Sequence, residues 1–574
     1  MKRKNEKENS LNIKPNLEKL FDDSGDNIWV FTGSSQMKSN FDDNLGFRSF
    51  MGHFEEFIRW ELAKTSVEAR QRFVFNTCEN GLSLAQINQN FEQVVSCYKP
   101  KAVTFMCDKK DFSTPTKEFE KQLETFINKS IEIGAIVVLI TMYDLKNQNN
   151  ENLKKLNEII KTQKSKGKFK DKIEVVDIFN LIQNKHLNEN KTLNFKGHYA
   201  LAQELVRNLL GCEWKIPDFN KETLISTGEK NYDYSNSTSE VSSEQTNEIK
   251  PSLINDFSNL KLLFIGDSIT HGAAHTYGYD SVAQLFEKAL IDIGYDKAIV
   301  LNTAVSGATA TNQDNGTLHL EYKKQRLDLI LATKPTHAIV MLGTNDTVVK
   351  GMTADKYERN IREIISIIKK ADVVPVLRSV PPANSIRHDV NCHLDEYAKR
   401  VKKIAKDENI CFIDHTNSWK TAEKSAPNLL NTNKQNLWLN DELHPNPAGQ
   451  IAMFKEVFET LCGSENLLKT KIAKLTYKST FEPKTLNKSL NKFLKLDKNS
   501  VSLNLKKLVR FSFKKYTKAT LILELDDKAL SMKTHDLSTN ELTLDNVDTA
   551  KVKDISLILE HKHKNNIHAL KLKR

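Results

Sequence analysis

No stretch of the sequence holds the roughly 18 consecutive apolar residues that a membrane-crossing helix needs, so no transmembrane segment is expected. The opening residues, MKRKNEKENSLNIKPNLEKLF, lack both an apolar stretch and a small-residue cleavage site, so no secretory signal is read and a cytoplasmic location is expected. Cysteine is sparse as well. The seven thiols, Cys78, Cys97, Cys107, Cys212, Cys392, Cys411 and Cys462, are scattered and never form a CxxC pair, which excludes a disulfide scaffold or a zinc framework. What is present is ordinary for a globular chain: 39% hydrophobic and 27% charged residues over 574 positions, a length that calls for about three or four domains.

The net charge of +11 is concentrated at one end. Residues 466–574 carry 24 Lys and Arg against 11 Asp and Glu, a surplus of 13, so the preceding 465 residues are close to neutral. In this basic segment the pattern is one of alternation (SVSLNL, LVRFSF, ATLILEL, DISLILE, NIHALKLK), which predicts a small antiparallel β domain over 469–574. Its lysines suit solvent faces and guarded strand edges, or a surface that holds an acidic polymer. The few aromatics among the basic residues are not read as a nucleic-acid platform, so no nucleic-acid partner is expected.

Elsewhere short apolar strands alternate with amphipathic helices. After Asn259 come KLLFI, a helix over 281–290, IVLNTAV, a helix over 321–331, HAIVMLG, a helix over 357–370, VVPVLRSV, a helix over 394–406, ICFID and a helix over 448–461. This order predicts a parallel sheet flanked by helices, with ligands bound beyond the carboxyl ends of the strands. The first 210 residues repeat it through NIWVFTG, RFVFNT, KAVTFMC, AIVVLI and IEVVDIF, and LNFKGHYALAQEL there faces HPNPAGQIAMFKEV. Two copies of one fold follow, over 26–215 and 256–465, behind a polar extension at 1–25. The Ser-, Asn-, Thr- and Glu-rich stretch 226–255 reads as a flexible linker.

Four blocks of the second copy fall at strand ends or in the last loop. In FIGDSITHG a strand ends, Gly266 permits a turn, and Ser268 is presented at the sheet edge. In NTAVSGAT, Gly307 can point a backbone N–H at a developing oxyanion, and in GTND the Asn345 amide can complete the oxyanion hole. Asp441 and His444 in DELHP are spaced so that the carboxylate can orient the imidazole while the other ring nitrogen takes the proton of Ser268. Nucleophile, base, orienting carboxylate and two oxyanion donors thus occur in workable order on one predicted sheet edge.

In these blocks the second copy resembles the SGNH (GDSL) hydrolase superfamily, whose motifs carry Ser, Gly, Asn and His, here Ser268, Gly307, Asn345 and His444, with Asp441 in the DxxH position. The resemblance implies α/β architecture with two tandem flavodoxin-like three-layer domains. It also implies ester chemistry through an acyl-Ser268, an oxyanion hole of the Ser268 and Gly307 N–H groups with Asn345, and no metal or bound organic cofactor. His271, just past the nucleophile, is also typical of the family and is read as a packing or substrate contact.

Against the same blocks the first copy is degraded. Ser35 stands where Ser268 does, with Ser34 replacing Asp267; Gly81 is kept; Lys110 takes the place of Asn345; Thr192 aligns with His444 and Glu189 with Asp441. His198 aligns with Gln450, inside the final helix. A serine without a base is a poor nucleophile, so this copy is expected to be noncatalytic, serving as a scaffold, a dimer surface or a glycan-binding module.

Hydrolysis and transfer share an acyl-enzyme and differ in what attacks it. The expected cytoplasmic location, the duplicated sugar-esterase-like domain and the basic β module favour an O-acetyltransferase of a bacterial surface (capsular) polysaccharide, with acetyl-CoA as possible donor and an acetyl-Ser268 intermediate. The alternative is a carbohydrate acetylesterase. A noncatalytic glycan-binding protein is a third reading, disfavoured by the complete second constellation.

Overall fold

The computed structural model of the protein describes residues 13–21, 27–41, 46–62, 72–78, 81–143, 151–166, 169–214, 252–254, 256–272, 276, 278–311, 320–321, 327, 331–383, 388–425, 438–439 and 443–474, and in the C-terminal region 484–485, 494–497, 500–504, 516–525, 530–536, 542–545, 547–561 and 567–572. Most of the expected linker, most of the helix expected over 321–331, the LVRFSF strand and Asp441 lie outside these residues. The described residues fall into two compact units, one holding both βα repeats and the other the C-terminal strands. Among the described residues no helix is long and apolar enough to cross a membrane.

The first copy is a five-stranded parallel sheet of β1 (Trp29–Gly33), β2 (Val74–Asn76), β3 (Ala102–Met106), β4 (Ile136–Ile140) and β5 (Ile173–Val176), in the order β2-β1-β3-β4-β5. The second copy repeats that order with β6 (Lys261–Gly266), β7 (Ile299–Asn302), β8 (His337–Met341), β9 (Val374–Arg378) and β10 (Cys411–Ile413), as β7-β6-β8-β9-β10. Both are the doubly wound, flavodoxin-like arrangement, which creates a crevice beyond the carboxyl ends where the strand order reverses, at β1/β3 and at β6/β8. The registers match too: Gly33 pairs with Met106 in the first sheet and Met341 with Gly266 in the second.

Local sequence explains the helices that flank the sheets. In Ala354–Lys370, Thr353 caps the N-terminus by accepting the Lys356 N–H, and Tyr357, Ile361, Ile364, Ile365 and Ile368 form the buried stripe. Lys369 and Lys370 sit in the last turn, where the helix dipole favours them. The helix Val282–Asp292 starts with a Ser281–Gln284 capping box, and the final helix Pro447–Cys462 combines an Asn446 cap with proline in its first turn.

The two copies share one hydrophobic core, in which Ile28, Val30, Phe73 and Phe75 join Leu263, Ile265, Ile299 and Leu301. The exposed edges of the two sheets, β2 and β7, lie against each other, so each covers a strand edge that would otherwise be open to pairing with a stranger.

The C-terminal unit contains two sheets. One runs Lys484–Thr485, Ile567–Leu572, Val552–His561, Tyr516–Leu525, Leu530–Asp536, and the other joins Leu494–Asp497, Ser500–Leu503 and Leu542–Asp545. Its ladders are antiparallel apart from the parallel edge pair Lys484–Thr485 with Ile567–Leu572, a departure from the purely antiparallel expectation. LSMKTHD and LTLD are strands as well; LSMKTHD is mostly polar and LTLD alternates over only four residues, so pairing with their neighbours supplies their order. In the second copy Glu321, expected to open a helix, instead pairs with Thr309 in a two-residue parallel ladder.

Candidate active site

Strand β6 ends at Gly266, and Asp267 caps the one-turn helix Ser268–His271 by accepting the Ile269 N–H at 3.0 Å. The turn places Ser268, 8% exposed, at the carboxyl edge of the sheet. Ser268 Oγ lies 2.9 Å from Nε2 of His444, which precedes the final helix and is 176 residues away in sequence. For that serine to donate, His444 must carry its ring proton on Nδ1, the nitrogen available to an orienting carboxylate. Asp441 lies outside the described residues, so no geometry is assigned to it.

The second block follows β7 as a loop held on every side. Thr303 and Val305 donate to the carbonyls of Phe264 and Gly266 on β6, at 3.0 and 2.9 Å. Gly307 adopts φ +90°, a conformation that favours glycine, and one N–H of the Asn345 amide donates to the next carbonyl, Ala308, at 3.0 Å. Asn345 therefore braces the Gly307 turn with one hydrogen, leaving its chemistry as a donor to the second. His271 Nδ1 lies 3.2 Å from Ser306 Oγ, and both residues are buried, so His271 supports this loop.

Two acids beneath the site went unassigned in the sequence. The fully buried Asp346, the last residue of GTND, accepts the Ala310 N–H at 3.1 Å, and burial pushes its carboxyl up to about 7. Burial also raises Asp267, against the stabilising Ile269 N–H. Asp346 had one signal available: CDKKD in the first copy ends on an acid at the equivalent position. There Asp111 accepts the Leu84 N–H at 2.9 Å, three residues after Gly81, as Ala310 is three residues after Gly307, and burial raises it to about 6.

Further equivalent bonds fix the alignment of the copies. Ser34 accepts the Gln36 N–H as Asp267 accepts Ile269. Asn194 and Asn446 cap the two final helices by accepting the N–H of Gly197 and Gly449, which sets Thr192 opposite His444. His198 accepts the Phe50 N–H through Nδ1, and Gln450 accepts the Val282 N–H, each at the start of the equivalent helix. Burial drives His198 down to about 3, so it stays neutral. Thr192 and Asn188 hydrogen-bond within their own loop, while Glu189 is exposed.

A second difference lies at one backbone position. Gly343 of the second copy, at φ +139°, corresponds to Asp108 of the first. Asp108 Oδ2 accepts the Ser35 N–H at 3.1 Å and its hydroxyl at 3.2 Å, and Oδ1 accepts the Lys110 N–H at 3.2 Å. The serine N–H that would face an oxyanion is thus bonded to the chain's own carboxylate.

Residues 264–452, within the second copy, match the model of the GDSL-like Lipase/Acylhydrolase family. An acetylxylan esterase of Geobacillus stearothermophilus is 26% identical over 217 residues, which span 34% of this chain and 91% of that protein. An uncharacterized protein of Mycoplasma pneumoniae is 27% identical over 168 residues, 28% of this chain, and the match spans only 18% of that relative's length. Among solved structures, a catalytic mutant of a G. stearothermophilus acetylxylan esterase has a TM-score of 0.30 at 21% identity, covering 36% of this chain and 95% of its own. The acetyl xylan esterase AlAXEase has a TM-score of 0.30 at 18% identity, covering 35% and 98%.

Proposed function

We propose that the second copy is a serine esterase that removes acetyl groups from a carbohydrate, with Ser268 as nucleophile, His444 as base and Asp441 as the carboxylate that orients it. The observation that carries this reading is the 2.9 Å approach of Ser268 Oγ to His444 Nε2 beside the Gly307 turn. As Ser268 attacks the ester carbonyl, its proton passes to His444 Nε2 and the carbonyl oxygen becomes an oxyanion. The N–H groups of Ser268 and Gly307 and the second hydrogen of the Asn345 amide are the donors for it, each worth about 3 kcal/mol in the transition state. His444 returns the proton to the departing sugar hydroxyl, leaving acetyl-Ser268, and water then attacks that ester with His444 again as base.

Sequence context alone favours transfer to a capsular polysaccharide over hydrolysis. The family match and the esterase relative support hydrolysis. The basic C-terminal unit suits retention of an anionic polymer, which makes turnover on such a substrate fall with salt.

Aryl acetate and acetylated xylooligosaccharide hydrolysis by the parent protein and Ser268→Ala tests the reading. Turnover that requires Ser268, with acetyl-CoA ignored, supports the esterase; thiol release from acetyl-CoA with acetylation of Ser268 would return the transferase to first place. Equal turnover by parent and variant would remove Ser268 from the chemistry altogether.

A further inference from the structure

The first copy reaches the second copy's candidate site through two buried arginines. Arg59 lies in the π-helical turn Phe57–Glu61 that extends the helix Phe50–Glu56, and it is fully buried. Its guanidinium, 4.9 Å over the Phe73 ring and paired with Glu55, donates to the main-chain carbonyl of Ala304 and, at 3.5 Å, to that of Asn302. These carbonyls are two residues apart, so in extended backbone they face the same way, away from β6. Strand β7 is the edge of its sheet, and beyond it Arg59 supplies the donors a neighbouring strand would have supplied. The loop leading to Gly307 is thereby bracketed, by β6 on its inner side and by Arg59 on its outer side.

Arg48 makes the matching contact behind the nucleophile. Its side chain donates to the Gly272 carbonyl at 2.9 Å, to Thr276 Oγ1 at 3.0 Å and to the Tyr279 carbonyl at 3.0 Å. Gly272 is the residue that terminates the Ser268–His271 helix. Phe47 bridges to Tyr279 and stacks on its ring, with centroids 4.1 Å apart.

We infer that the first copy is a built-in part of the second copy's active-site frame, with Arg59 as a positioning residue for the oxyanion loop and Arg48 as one for the segment that follows the nucleophile. Each acts by fixing main chain next to a group of the site, Arg59 the stretch that leads to Gly307 and Arg48 the end of the Ser268–His271 turn. The inference rests on the reading of Ser268 as nucleophile and Gly307 as oxyanion donor, and it explains why a copy without a base stays folded against one that has one. A displacement of the oxyanion donors by a fraction of an ångström is felt mainly in the transition state, hence in kcat rather than KM.

The test uses the full chain and three variants, Arg59→Ala, Arg59→Lys and, as an interface control, Lys38→Ala. Lys38 also crosses between the copies, but it binds the Asp296 and Ala298 carbonyls at 2.7 and 3.1 Å, at the opposite end of β7 from the loop. Below the unfolding midpoint of each variant, Arg59→Ala should lower kcat for an aryl acetate about tenfold to a hundredfold with KM within about twofold, and Arg59→Lys should recover part of it. Lys38→Ala should leave kcat within about twofold. Unchanged kcat in both Arg59 variants, or an equal loss in Lys38→Ala, would overturn the inference. Amide exchange at Val305, Ala308 and Ala310 gives a readout independent of turnover: faster exchange in either Arg59 variant, but not in Lys38→Ala, supports positioning, and unchanged exchange sinks it even if Ser268 proves not to be the nucleophile.

Discussion

Ser35 and Ser268 end equivalent strands of equivalent sheets, yet they face different neighbours. Ser268 meets His444; Ser35 meets the carboxylate of Asp108, with Thr192 where the histidine would stand. Both copies keep the buried acid that ties the second block to the third, Asp346 in one and Asp111 in the other. The frame of the second-block loop is thus common to both copies, while the residues around the serine differ. Among the described residues the two differ in what stands opposite the serine, Thr192 against His444, and in the anion of Asp108 where the second copy has Gly343.

The largest expected effect breaks this comparison directly. Ser268→Ala or His444→Ala should each lower kcat by a factor of about a million, down to what binding and the oxyanion hole contribute alone, while Ser35→Ala leaves ester hydrolysis within about twofold. A comparable loss in Ser35→Ala would make the first copy a catalyst.

Gly343→Asp carries the obstruction from one copy to the other. Asp108 stands at φ −92°, whereas Gly343 is at φ +139°, where an L side chain is strained and a Cβ meets the Tyr357 hydroxyl at 3.2 Å, so the backbone must shift for the new carboxylate to take the Ser268 N–H as Asp108 takes that of Ser35. Hydrolysis should fall at least about a hundredfold, the scale of one lost oxyanion donor. An active Gly343→Asp enzyme with an intact fold by circular dichroism would mean that Asp108 is not what silences Ser35.

Next in size, Asn345→Ala should cost about a hundredfold in kcat, through both the donor and the brace on Ala308, whereas Lys110→Ala in the first copy should be silent. Steady-state kinetics of the two variants side by side decides it.

The smallest effect sharpens what the copies share. Burial holds the Asp346 proton up to about 7, well above the usual carboxylate range near 3.8, so the native state binds that proton more tightly than the unfolded chain. The stability this contributes is complete below about pH 4 and is lost as pH rises through about 7, by at most about 4 kcal/mol. Asp346→Asn retains an acceptor for the Ala310 N–H but cannot ionise, so its urea-unfolding free energy should fall less steeply between pH 5 and 8. Asp111→Asn should show the same flattening over a window about one pH unit lower, since Asp111 is raised only to about 6. Identical pH slopes in parent and variants would show that neither acid titrates in this range.

Much of this was legible in the primary structure because it is local. Strand and helix periods and the turn at Gly266 each depend on residues within one or two turns of chain, so the parallel βα order of both copies could be read directly. The four blocks could be read as one site because the doubly wound topology brings every strand's carboxyl end to the same edge.

By itself the sequence determined the two α/β copies, the residues placed at the sheet edge of each, and Thr192 as the residue aligned with His444. Only the tertiary structure decided that Asp108 occupies the Ser35 N–H, that Asn345 and Asp346 brace the second-block loop, and that Arg48 and Arg59 reach across to Gly272 and Ala304. These bonds join groups dozens to hundreds of residues apart, and three of the five accept on main-chain carbonyls, which every residue carries and no side-chain pattern announces.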